Sequence, residues 1–207
     1  MYTHSKNYKT TGTPIVNAKG ALVMLHGRGG TAANIMSLSR ELNIDDMAVY
    51  APQANNNSWY PYSFMVADEQ NQPALNSALQ VVGDLVEEII GNGIPADKIY
   101  FLGFSQGACL TLEYIIRNAQ CFGGAVAFTG GLIGEKLKLQ NYSGNFNSTP
   151  ILITTSNPDP HVPLSRVEES VDVLKQHHAQ VTVKVYAGKP HTIIQEEIDL
   201  ANEVIFV

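Results

Sequence analysis

Ile99-Tyr100-Phe101-Leu102-Gly103-Phe104-Ser105-Gln106-Gly107 is an apolar run that ends in a turn bounded by two glycines. The run Ile99–Gly103 reads as a strand and Gln106–Asn118 as a helix. A strand that turns sharply into a helix forces the residue at the corner into a strained backbone conformation at the carboxyl edge of a sheet. Side chains two positions before and after that corner would collide, so Gly103 and Gly107 relieve the crowding and Ser105 stands at the apex. A pentapeptide of the form G-x-S-x-G arises by accident in about a tenth of chains of this length and composition. Its strand–turn–helix setting is what distinguishes this one from an accident.

Working outward, short apolar runs alternate with longer amphipathic stretches, the pattern of a mainly parallel sheet covered by helices on both faces. Strands are predicted at Ala21–Leu25, Met47–Ala51, Ala125–Phe128, Ile151–Thr154 and Val181–Tyr186. Most are apolar throughout, as expected of strands buried on both faces. Leu75, Leu79, Val82, Val86 and Ile89 recur at helical spacing, with Pro73 before them and Gly91 and Gly93 after. Further helices are predicted over Thr31–Leu42, from about Leu164 (Val167, Val171, Leu174), and over the stripe Ile194, Ile198, Ala201 and Ile205. The Gly/Asn-rich segment Gly130–Thr149 reads as a surface loop or small cap. The fold class is α/β, as a single domain spanning 1–207.

A serine hydroxyl is a poor nucleophile until a base takes its proton, and that base needs a third group to fix its tautomer. Where the nucleophile sits on such an elbow, the acid and the histidine follow it, each in a loop after a later strand. Asp159, in Ser156-Asn157-Pro158-Asp159-Pro160 after strand Ile151–Thr154, meets the first demand. His191, in Gly188-Lys189-Pro190-His191 after strand Val181–Tyr186, meets the second. Donors for an oxyanion come from two backbone amides: Gln106, at a helix N-terminus, and Arg28, in His26-Gly27-Arg28-Gly29-Gly30 directly after strand Ala21–Leu25. The Arg28 side chain is expected in a surface ion pair, with an anionic substrate group as the alternative. His26 is read as bracing its loop, His4 as part of a loose N-terminal segment, and His177 and His178 as ending a helix. His161 lies at the rim of the site. Trp59, Tyr60, Tyr62, Phe64 and Met65 form the densest aromatic cluster, and they either line a substrate pocket or pin a long loop to the core.

Other chemistries fit less well. The chain has 13 Lys and Arg against 19 Asp and Glu, a net charge of −6, and no basic block, which disfavours nucleic acid and anionic lipid surfaces. The start of the chain lacks a signal-peptide pattern and no run approaches a membrane span, so a cytoplasmic protein is expected. Cys109 and Cys121 are expected to be reduced core residues. No histidine forms a metal-binding pattern such as H-E-x-x-H, so no metal is expected. Gly27-Arg28-Gly29-Gly30-Thr31-Ala32 also satisfies a dinucleotide fingerprint. That reading requires an acid at the end of the next strand, where Tyr50-Ala51-Pro52 stands instead. A non-catalytic binder on the same scaffold is a further alternative.

With these residues in view, the chain resembles the phospholipase/carboxylesterase family of small α/β-hydrolases, which includes acyl-protein thioesterases and lysophospholipases. The likeness runs through His26-Gly27-Arg28-Gly29, Ser58-Trp59-Tyr60, Gly103-Phe104-Ser105-Gln106-Gly107-Ala108, Asp159-Pro160-His161-Val162-Pro163 and Pro190-His191. It implies an α/β-hydrolase fold with no large lid domain, no cofactor, and a Ser105–His191–Asp159 triad. Two departures stand out: Arg28 replaces a leucine of the eukaryotic thioesterases, and Gly188-Lys189-Pro190-His191 replaces their usual Gly-x-Gly-His. The arginine form looks like a bacterial branch, so protein depalmitoylation is not carried over. The expected substrate is a small or short-acyl ester or thioester, with Trp59, Tyr60, Phe64 and His161 as candidate substrate contacts and a homodimer left open.

Overall fold

The computed structural model describes residues 2–207. Seven strands form one sheet in the order β1-β3-β2-β4-β5-β6-β7. They are β1 (Tyr8–Gly12), β2 (Gly20–Leu25), β3 (Met47–Pro52), β4 (Ile99–Phe104), β5 (Gly124–Phe128), β6 (Pro150–Asn157) and β7 (Gln180–Ala187). Only β1 runs antiparallel to its neighbour; the remaining pairs are parallel. Five α-helices connect them: α1 (Ala32–Met36), α2 (Ala74–Gly91), α3 (Gln106–Arg117), α4 (Leu164–Gln176) and α5 (Gln195–Val204). No helix among the described residues is long and apolar enough to cross a membrane.

Strand alternation builds two cores. Ala21, Val23 and Leu25 of β2 face the layer of α2, α3 and α4, while Leu22 and Met24 face that of α1 and α5. All of β2 is buried, which is why its sequence shows no alternation of polarity. The chain moves from β2 outward to β3, then crosses back to place β4 on the other side of β2. Strand order therefore reverses between β2 and β4, and the loops leaving their carboxyl ends open a crevice there, the usual ligand site of such sheets. These are the loops that carry Arg28 and Ser105.

Four expectations are corrected or sharpened. First, the edge strand β1 has no counterpart among the predicted strands because Tyr-Lys-Thr-Thr-Gly has no buried period: four of its five residues are exposed. Second, Thr31–Leu42 is not one helix but the short α1 followed by a 3-10 turn, Ser37–Glu41. The Ser37 hydroxyl donates to the Asn34 carbonyl at 2.7 Å, one of the short polar side chains that compete with helical bonding here.

Third, the surface loop or small cap expected over Gly130–Thr149 is an irregular segment, exposed over much of 135–148 but fastened to the core. Leu132, Ile133, Tyr142 and Phe146 are buried. The buried Glu113 carboxylate accepts from the Ile133 N–H and the Tyr142 hydroxyl, and it pairs with Arg117 at 2.7 Å. The buried Arg166 guanidinium donates to the carbonyls of Leu132, Gly134 and Glu135. Fourth, Cys109 is buried but Cys121 is exposed.

Candidate active site

Ser105 has φ 53° and ψ −117°, the strained corner between β4 and α3. A Cβ on Gly107 would sit 2.1 Å from the Leu25 carbonyl oxygen, and one on Gly103 would sit 2.3 Å from that of Gly107. Both contacts are to backbone, so the two glycines let α3 lie directly against β2 and β4. The Ser105 N–H donates to the Phe128 carbonyl at 2.9 Å, which ties the corner to β5.

Two distant loops meet this hydroxyl. His191 Nε2 lies 2.8 Å from Ser105 Oγ, and its Nδ1 lies 2.8 Å from Asp159 Oδ2. A carboxylate only accepts, so Nδ1 carries the proton and the Nε2 lone pair faces the serine hydroxyl. Asp159 follows the end of β6, and its Oδ1 accepts from the N–H groups of His161 and Val162 at 2.8 and 2.9 Å. Burial alone would raise the Asp159 pKa. The bond from His191 and the two backbone donors outweigh it and hold the carboxyl below its usual value. His191 is flanked by the rings of Phe104 and His161, with centroids 5.3 and 4.9 Å away.

The loop of His191 is anchored by a network that local sequence reading missed. Lys189 Nζ and Glu197 Oε2 are 3.2 Å apart, with side chains 4% and 0% exposed. Glu197 Oε1 accepts from the Thr154 hydroxyl of β6 at 2.5 Å, and Oε2 accepts from the Ile194 N–H at 3.0 Å. Lys189 also donates to the Thr192 carbonyl at 2.5 Å. One signal was present: Glu197 lies three residues after Ile194 and one before Ile198, a charge on the apolar stripe of α5. Such a charge must find a partner when buried.

Arg28 and Gln106 stand on the two loops of the crevice, and among the described residues neither backbone N–H has a protein acceptor. The Gln106 side chain has a second task. Its Oε1 accepts from the Trp59 N–H at 2.8 Å and its Nε2 donates to the Tyr60 carbonyl at 2.8 Å, so it clamps the aromatic loop to the elbow. His26 braces the Arg28 loop: Nδ1–H donates to the Gly27 carbonyl at 2.8 Å and Nε2 accepts from the Ala54 N–H at 3.1 Å.

A cavity of about 440 Å³ opens over Ser105. Tyr60, Phe64 and His161 line it, together with Tyr62, Phe104, Cys109 and Val162. Trp59 does not: it is fully buried, with its indole N–H donating to the His26 carbonyl at 2.8 Å, and so it pins its loop to the core. His4 is likewise no part of a loose segment. Its Nε2–H donates to the Trp59 carbonyl at 2.9 Å while Nδ1 accepts from the Asn55 N–H. Arg28 forms no ion pair among the described residues, contrary to expectation. Its guanidinium reaches the Ser58 hydroxyl and the carbonyls of Pro61 and Tyr62.

The phospholipase/carboxylesterase family profile matches residues 6–206. The chain belongs to the phospholipase/carboxylesterase family. It is accordingly an enzyme of the hydrolase class. A crystal structure of a phospholipase/carboxylesterase from Dyadobacter fermentans is 62% identical, with a TM-score of 0.99 over 100% of this chain and 99% of that one. Acyl-protein thioesterase 1 of Kluyveromyces lactis is 26% identical, over 87% of this chain and 88% of its own length. Arabidopsis thaliana SOBER1, at 20% identity, shares the fold with a TM-score of 0.79 over 91% of this chain and 98% of that one. The α/β-hydrolase fold without a large lid domain thus agrees with the expectation from sequence.

Proposed function

We propose that the protein hydrolyses small carboxylic esters or thioesters through an acyl-enzyme on Ser105. One observation carries the reading: the unbroken relay from Ser105 Oγ through His191 to Asp159, with both contacts at 2.8 Å and with Ser105 and His191 lining the cavity. In this mechanism His191 Nε2 takes the hydroxyl proton as Oγ attacks the carbonyl carbon. The imidazolium that forms is stabilised by Asp159, whose charge is secured by the His161 and Val162 amides. The amides of Gln106 and Arg28 receive the oxyanion, assisted by the N-terminal dipole of α3. His191 then returns the proton to the departing alcohol or thiol, and water attacks the acyl-enzyme by the same route in reverse.

A cavity of about 440 Å³ has room for a small or short-acyl substrate. The test is a panel of p-nitrophenyl esters and acyl-CoA thioesters from short to long acyl chains, run on the wild type and on Ser105→Ala. The proposal expects the highest kcat/KM among short acyl groups and loss of turnover in the variant. A rising kcat/KM out to long chains would refute the size argument, and undiminished turnover in Ser105→Ala would refute the nucleophile.

A further inference from the structure

Arg28 is the only lysine, arginine, aspartate or glutamate among the described residues lining the cavity over Ser105. Among the described residues no carboxylate lies within 4.0 Å of its guanidinium, whereas Arg117 and Arg166 each pair with a glutamate. All its acceptors are neutral: Ser58 Oγ at 3.0 Å and the Pro61 carbonyl at 2.8 Å from Nη1, and the Tyr62 carbonyl at 2.6 Å from Nη2. Its carbon Cζ stands 6.0 Å from the Tyr60 ring centroid. These contacts hold the planar group in one orientation on the cavity wall while, among the described residues, its charge meets no carboxylate and its Nε–H no acceptor. A guanidinium with free donors is matched to a carboxylate. Its orientation is also already set, so little is lost in ordering it on binding. In a protein of net charge −6 an anion gains nothing from the overall field, so a positive wall in this one cavity is a local selection.

We propose that Arg28 selects substrates bearing a carboxylate, so that the preferred compounds are small esters or thioesters of carboxylate-bearing acids or alcohols. This deepens the ester-hydrolase reading and rests on it. The carboxylate accepts from Arg28 on the wall formed by Tyr60, Pro61 and Tyr62 while the ester carbonyl lies over Ser105.

Two matched pairs locate the charge. Mono-p-nitrophenyl glutarate against its methyl ester puts the carboxylate in the acyl part, and 4-acetoxybenzoate against its methyl ester puts it in the leaving group. In at least one pair the charged member is expected to have about tenfold or greater kcat/KM, in line with hydrogen bonds to a charged group. The preference should collapse in Arg28→Gln, survive in part in Arg28→Lys, and weaken in the wild type as salt is raised. Neutral members preferred or equal in both pairs overturns the proposal, as does a ratio unchanged in Arg28→Gln.

Calorimetry on Ser105→Ala separates this from the catalytic reading. In at least one of two pairs, monomethyl against dimethyl glutarate and 4-acetoxybenzoate against its methyl ester, the charged member should bind at least tenfold more tightly, and equal binding in both overturns the anion site whatever the nucleophile is. Undiminished esterase activity in Ser105→Ala would instead remove the serine mechanism and leave the charged-to-neutral ratio to judge Arg28.

Discussion

Replacing Glu197 by glutamine strips one charge from the buried network beneath His191. The Lys189 ammonium, only 4% exposed, then faces a neutral amide, with the Thr192 carbonyl as its other acceptor. Breaking a buried pair from one side typically costs about 3–5 kcal/mol, because the remaining charge stays desolvated. At about 2–4 °C per kcal/mol for a chain of this size, the melting temperature should fall by about 6–20 °C. Thermal unfolding followed by circular dichroism measures this directly. Lys189→Met with Glu197→Leu should recover most of the loss, since removing both charges leaves none unpaired. Catalysis should not recover with it. The bonds to Thr154 and Ile194 that hold the His191 loop against β6 and α5 are gone in the double variant, so its kcat/KM should remain below wild type. A fall of less than about 2 °C in Glu197→Gln, or a double variant less stable than the single one, would refute the reasoning.

Other consequences follow from the same geometry. Asp159→Asn should lower kcat by about four orders of magnitude by favouring the wrong His191 tautomer; turnover within tenfold of wild type would remove Asp159 from the relay. Gly107→Ala should yield little soluble, active protein, because the new Cβ would lie 2.1 Å from a backbone oxygen of β2; a wild-type melting curve would contradict the packing of α3. His26 and His4 are both held below the usual imidazole pKa, chiefly by burial. A histidine whose pKa falls on folding binds fewer protons folded than unfolded. Its stabilising contribution is therefore complete above about pH 6.5 and declines as pH falls through that value. Melting temperature should drop between pH 7.5 and 5.5, and a flat profile would sink the claim. Cys109, its thiol pushed up to about 12 by burial, should resist maleimide while the exposed Cys121 reacts; peptide mapping that finds Cys109 labelled first would overturn this.

The relay was legible because each member obeys a local rule. Ser105 follows an apolar strand between two glycines, and Asp159 and His191 each stand in a loop just past a later strand. What escaped the sequence depends on residues far apart in the chain. Glu113 and Arg166 hold the Gly130–Thr149 segment through single side chains on α3 and α4, which no periodicity in the segment itself announces. Trp59 looked like a pocket residue because it is aromatic and neighbours Tyr60, but the two lie in a bent loop and their side chains part. Tyr60 lines the cavity and Trp59 enters the core between His4 and His26, with ring centroids 5.5 and 5.0 Å away. The partners of Arg28 are carbonyls of a loop more than thirty residues on, and backbone acceptors leave no mark in a sequence.

The central claim is that Ser105 is the nucleophile, activated by His191. A fluorophosphonate probe followed by intact-mass analysis and peptide mapping tests it most directly. One adduct per chain is predicted, on Ser105, absent in Ser105→Ala and strongly slowed in His191→Ala. An adduct on another residue, or none on a folded protein that still cleaves esters, would contradict it.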